Sequence, residues 1–234
     1  MDSKIRFVNK IYENWERSMT EANIPRKYWP FSAKKFCQRC NLIGKKLEVT
    51  EFVYKKQAEW SLNYNFIIEG LCRDPDYSPA EIRRALGMAI LINGIGYAIL
   101  NEKIYCDYGR YLSFNQLITM LSDKDLAYSN LDQLSKYHYL FISDVENFNS
   151  RMSGGLVEAL KARLDDLLRR RQDAGRINII SFAAECTQIF TDNKLGNEIH
   201  DILFKCYDSA SYHDPEERIV KVANSVGSKS GLEE

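Results

Sequence analysis

Asn65-Phe66-Ile67-Ile68-Glu69-Gly70, then Asp74-Pro75-Asp76, then Ser78-Pro79-Ala80-Glu81-Ile82-Arg83-Arg84, is the stretch on which the fold turns. The first piece reads as a short buried strand that stops at a glycine. The second is loop chemistry. The third is a helix start: Ser78 can cap, Pro79 suits the first helical position, and Glu81 can close a capping box. Strand, loop and helix in that order form the opening half of a βαβ unit. The helix is expected to run towards Lys103, and it is apolar nearly all round, so it packs on more than one side. Gly87, Gly94 and Gly96 inside it each cost up to about 1 kcal/mol relative to alanine, a cost that close approach to a sheet would justify.

Further strand and helix signals alternate downstream. Ile104–Tyr111, Tyr137–Ile142, Ile177–Phe182 and Arg218–Ala223 read as strands. Ser113-Phe114-Asn115-Gln116 is a second capping box and opens a helix through about Leu121. Leu156–Arg171 is an amphipathic helix ended by Gly175, and further helices are expected near 185–191 and 195–207. Such alternation implies an α/β fold with a mainly parallel five-stranded sheet and helices on both faces. Upstream, Ile5, Val8, Tyr12, Trp15 and Met19 are spaced 3, 4, 3 and 4 apart, which draws one apolar seam along an N-terminal amphipathic helix. Asn23-Ile24-Pro25 ends that helix, residues 31–60 are basic and mixed with a helix around 45–59, and Ala223–Glu234 is small and polar. The organisation expected is therefore a helix over 1–23, a domain over 24–223 and a flexible tail over 224–234.

Composition bounds the function. With 32 Lys+Arg against 32 Asp+Glu in 234 residues, and 45% hydrophobic residues, the chain is globular and not a polyelectrolyte. Any nucleic-acid contact must come from a local patch. Residues 1–60 hold 13 of the cations and 7 of the acids, so the surplus lies at the N-terminal end. The nearly apolar run Ala85–Leu100 falls short of the roughly 20 residues that span a bilayer. Met1-Asp2-Ser3-Lys4 runs into charges, and the 6 cysteines are scattered through core segments, so the expectation is a cytoplasmic protein with free thiols.

The order of these elements, with the words inside them, resembles the AAA+ ATPase domain of the DnaC/DnaI helicase loaders and the related IstB transposition ATPases. Ile24-Pro25-Arg26-Lys27-Tyr28 and Ser32–Phe36 are similar to the phrase that precedes the family's core. Leu86-Gly87-Met88-Ala89-Ile90 resembles the "L-A-x-A-I" after its P-loop, and His138–Glu146 resembles its Walker B strand. Arg169–Arg171 followed by Ile179-Ile180-Ser181-Phe182-Ala183 occupies the place of the arginine-ended helix and sensor strand. The resemblance covers residues 24–225 and implies a three-layer P-loop-NTPase/AAA+-like fold.

The departures bear on chemistry. A phosphate loop needs glycine N–H groups, a lysine and a Ser/Thr. Here Ala80-Glu81-Ile82-Arg83-Arg84 stands in its place, with Arg83 at the lysine position and Arg84 at the Ser/Thr position. Ser143 replaces the Walker B aspartate, Asp144 the longer catalytic carboxylate, and Ala183 the sensor asparagine. The resemblance thus implies a pseudo-ATPase, needing no cofactor, that acts as an adaptor in a DNA transaction such as replicative helicase loading or transposition. Its partner would be a replicative helicase, a transposase or a related AAA+ subunit. One alternative is an active ATPase binding ATP and Mg through a rearranged loop around Cys72–Arg84. Another is a structural or interaction subunit unrelated to DNA.

Other features carry two readings each. Arg26, Lys27, Trp29, Lys34, Lys35 and Arg39 mix cations with rings, as single-stranded DNA binding requires, or else form a packed connector. Ile5, Val8 and Tyr12 suit a partner's groove, while Trp15 and Met19 are expected to dock on the chain's own core. Cys37-Gln38-Arg39-Cys40 is half of a zinc pattern without a second pair, with His200 and Cys206 the remaining donors, and no metal site is expected. Asn93-Gly94-Ile95-Gly96 lacks the third glycine of a dinucleotide fingerprint and suits close helix packing. His138 reads as a boundary residue. The Arg169-Arg170-Arg171 run, with Arg176 nearby, suits a phosphate or an acidic partner, or else a solvated helix end.

Overall fold

The computed structural model describes residues 13–29, 65–69, 78–100, 108–145, 154–182 and 219–222. Helix α1 covers residues 13–21 and is followed by a 3-10 turn, Arg26–Tyr28. Strand β1, Asn65–Glu69, precedes helix α2, Pro79–Leu100. Strand β2, Gly109–Ser113, runs directly into α3, Phe114–Ser122, and α4 follows over Ala127–Lys136. Strand β3 is Tyr139–Ser143, helix α5 is Gly154–Asp173, β4 is Ile177–Phe182 and β5 is Ile219–Val222.

The architecture is α/β, a parallel sheet with helices on both faces. Strands β2, β3 and β4 lie side by side, with Phe141 opposite both Tyr111 and Ile179. The backbones of β1 and β5 continue the ladder, giving the order β2-β3-β4-β1-β5. Connection β1–α2–β2 crosses the sheet one way, and β2–α3–α4–β3–α5–β4 returns the other way. Right-handed crossovers then demand that α2 lie on one face and α3–α5 on the opposite face. The side chains sort accordingly. Tyr111, Tyr139, Phe141, Ile177 and Ile179 pack with α1 and α2, while Leu112, Leu140, Ile142, Ile180 and Phe182 pack with α3, α4 and α5. Two separate cores, one per face, follow from the period-2 alternation of fully buried strands.

Local chemistry sets the element ends. Ser78 and Glu81 close their capping box, with Glu81 N donating to Ser78 Oγ at 3.3 Å and Ser78 N to Glu81 Oε2 at 2.9 Å. Ser113 and Gln116 do the same at the start of α3. Helix α5 ends in a Schellman turn: Gly175 has φ 63°, Arg176 N donates to Arg171 O and Gly175 N to Gln172 O. Helix α1 ends the same way on Asn23, at φ 59°. A Cβ on Gly87 would lie 2.1 Å from the Phe141 ring, and one on Gly94 2.9 Å from the Tyr139 ring. Those two glycines let α2 sit against β3. Gly96 faces nothing within 4 Å, so the close-approach expectation does not extend to it.

Several sequence boundaries move. The strand expected to end at Tyr111 continues to Ser113, because Ser113 stays extended while serving as the cap of α3; residues 104–107 of that expectation lie outside the described residues. The strand expected from Tyr137 starts at Tyr139, since Tyr137 closes the end of α4. Helix α4 has no counterpart in the sequence reading. The helices expected at 45–59, 185–191 and 195–207 and the tail from 224 lie outside the described residues.

Candidate functional site

In an open parallel sheet, ligands meet the carboxyl ends of the strands where chain direction switches. Here that edge is lined by the end of β3, the first turns of α2 and the turn Arg26–Tyr28. Chain separation is large, and the contacts are short. Arg84 Nη2 donates to Asp144 Oδ1 at 2.9 Å. The Ser143 hydroxyl donates to Asp144 Oδ2 at 2.6 Å, and the Tyr111 hydroxyl lies 3.1 Å from Ser143 Oγ. Ser143 is fully buried, Tyr111 and Asp144 are buried, and Arg84 is half-buried.

Asp144 sits at φ 60°, immediately beyond β3. Aspartate tolerates this left-handed region better than most residues, yet it still carries strain that surrounding contacts must over-determine. Both carboxylate oxygens of Asp144 are engaged, which supplies that constraint. Burial works against the Arg84 charge, but the hydrogen bond and charge of Asp144 outweigh it, and Tyr28 adds to them; the guanidinium is held more firmly protonated than usual. Burial raises the Tyr111 phenol, partly offset by its bond to Ser143. One donor remains unused, since Arg84 Nε is buried without a partner.

The structure brings Arg84, Ser143 and Asp144 together and leaves Arg83 buried beside them on α2. Ala183 lies outside the described residues. Arg26 and Lys27 are exposed on the 3-10 turn, over the rings of Trp29 and Tyr28 at 5.6 and 4.9 Å. Trp29 turns inward instead: its Nε1 donates to Ile24 O at 2.9 Å and its ring meets Trp15 edge-on at 5.5 Å. Lys34, Lys35, Arg39, Ile5, Val8 and Tyr12 lie outside the described residues, as do Cys37, Cys40, His200 and Cys206. Met19 is fully buried in the α2-side core with Trp15 packed on it, so this end of the seam docks in cis.

The arginine run resolves into structural roles. Arg171 is fully buried and donates to Leu134 O, Tyr137 O, Ile177 O and Asn178 Oδ1 at 2.6–2.8 Å. Arg169 pairs with Asp165, and Arg170 with Asp166 and Asp132. The solvated helix end describes Arg169 and Arg170, which are exposed and surface-paired, whereas Arg171 is interior. His138 is a boundary residue between α4 and β3, with its Nδ1 3.2 Å from Arg176 Nη1.

Sequence reasoning missed Tyr111 and Tyr28 at this edge. Tyr111 lies two register positions before Ser113, which pairs with Ser143, and only strand pairing reveals that proximity. No protein-family model matches the chain, and no curated protein does either. Among the described residues, no helix is long and apolar enough to cross a membrane.

Proposed function

We propose that the chain is a non-catalytic AAA+-like module on a five-stranded P-loop-type sheet, acting as a cytoplasmic adaptor in a DNA transaction. The observation that carries this is the Arg84–Asp144 contact at 2.9 Å. Working P-loop sites hold Mg²⁺ between the loop's Ser/Thr and the Walker B carboxylate. Arg84 stands at the Ser/Thr position of the resemblance and Asp144 beside the Walker B position, 60 residues away, and the two meet. A guanidinium therefore supplies internally the positive charge that a metal ion supplies in such sites. The convergence of the two motif positions supports the family reading. The ion pair supports the loss of catalysis within it.

The module then works through binding: a replicative helicase, a transposase or a related AAA+ subunit, with single-stranded DNA contacted by exposed cations such as Arg26 and Lys27. Calorimetry with Mg-ATP and a phosphate-release assay test the first half. No binding at low-micromolar ATP and no turnover are expected. Low-micromolar affinity that disappears on changing Arg83 or Asp144 would establish the ATPase alternative instead.

A further inference from the structure

The contacts at the strand ends do not stop at Arg84 and Asp144. They continue through Ser143 to the Tyr111 hydroxyl, and Tyr111 belongs to β2, the outer strand of the sheet. The free edge of β2 is occupied by the end of α1. Tyr111 N donates to Ala22 O at 2.8 Å, Asn23 Nδ2 donates to Tyr111 O at 3.2 Å, and Arg110 Nη1 donates to Glu21 O at 2.8 Å. From Asn23 the chain turns through Ile24 into the 3-10 turn, whose Tyr28 is buried against the α2-side core. Besides the buried Met19 and Ile24, two contacts therefore clamp residues 13–29, at Ala22–Asn23 by β2 and at Tyr28 beside α2. Arg84, Asp144, Ser143 and Tyr111 join the two clamps across the crevice and close a ring.

We propose that this ring couples the strand-end crevice to the N-terminal segment, so that separating Arg84 from Asp144 loosens residues 13–29 from the sheet. The two-state element is the segment itself, docked or released. Its covering of the β2 edge gives release a consequence, since a bared edge offers unpaired N–H and C=O groups to another chain. An anion or a partner's carboxylate that captured Arg84 would act through the same step. The ring is made of side chains present in this chain and needs no nucleotide to form.

Hydrogen exchange on the full chain tests it without any ligand. Asp144→Asn keeps the side-chain shape and the tolerance for a left-handed backbone but removes the charge. Tyr111→Phe keeps the ring and removes the hydroxyl. Each is expected to accelerate exchange of the α1 amides about tenfold relative to those of α5, the size of one lost hydrogen bond. The double variant is expected to go little further than either single variant, because one cut already opens a ring. Equal acceleration in α1 and α5, no change in α1, or fully additive effects would each overturn the coupling. If Asp144→Asn does not fold, Ser143→Ala makes the cut at the next link and is read the same way.

Discussion

Arg171 shows how little a residue's charge says about its surroundings. It lies near the end of a helix in a run of three arginines, yet its neighbours are salt-bridged at the surface while it ties α5 to the end of α4 and the start of β4 from the interior. Surface pairs such as Arg169–Asp165 contribute little, about 0–1 kcal/mol each. A buried acceptor left without its donor costs about 1–3 kcal/mol. Arg171→Ala is therefore expected to lower unfolding free energy by at least about 3 kcal/mol in urea titrations, and Arg171→Lys by nearly as much, since an ammonium cannot span the fork. Arg169→Ala should stay within about 0.5 kcal/mol of the parent. Two titrating groups contribute to opposite limbs of the pH profile. Glu81 is held below its ordinary 4.5 by hydrogen bonds from Ser78, so its contribution is complete above that value and is lost as pH falls. Burial holds Tyr111 above its ordinary 10.0, so its contribution is complete below that value and is lost as pH rises. Melting curves across pH should show a flatter acid limb for Glu81→Gln and a flatter alkaline limb for Tyr111→Phe.

At the scale of elements, the contact between α2 and β3 depends on missing side chains. Gly87→Ala would place a methyl inside the Phe141 ring, so the helix or the ring must shift. A loss of about 1–3 kcal/mol is expected from such overpacking. Gly96→Ala meets no neighbour and relieves a helix-interior glycine, so a gain of about 0.5–1 kcal/mol is expected. Thermal melts of the two variants should move in opposite directions. The α1 seam divides in a similar way. Trp15→Ala removes the edge contact to Trp29 and the packing of Trp15 on the α2-side core, and a loss of about 1.5–3 kcal/mol is expected. The Ile5→Asp/Val8→Asp pair tests the other end by pull-down: the partner reading expects lost association at an unchanged melting temperature, and equal destabilisation by both variants would make the whole helix ordinary core. Helix α4 was invisible because only Ala127, Leu131 and Leu134 mark its buried side, in a segment otherwise polar. Asp123, whose Oδ1 accepts from Asp125 N and Leu126 N, was the local signal that could have found its start.

For the whole molecule, a net charge of zero means that any attraction to DNA would have to come from a local patch, and residues 1–60 hold 13 cations against 7 acids. The exposed pair Arg26 and Lys27 belongs to that surplus. Single-stranded DNA affinity, if carried there, falls with salt, and Arg26→Ala/Lys27→Ala should flatten the log–log slope by about 1.4, at about 0.7 per lost phosphate contact. Fluorescence anisotropy at several salt concentrations measures it, and an unchanged slope removes this pair from the interface. Local order was legible along the chain, because it depends on neighbours in sequence. The two capping boxes, the strand Ile177–Phe182 and the glycine stop at 175 are short-range chemistry, and the alternation of strands and helices follows from them. The resemblance could name Arg84, Ser143 and Asp144 but not the hydrogen bonds among them. Their meeting required β3 to end beside α2, which depends on strand order and on two glycines close to Phe141 and Tyr139. Tyr111 and the clamp on Ala22 lay beyond reach for the same reason: hydrogen bonds between residues 32 or 89 positions apart leave no periodicity in the sequence and exist only once the sheet has formed.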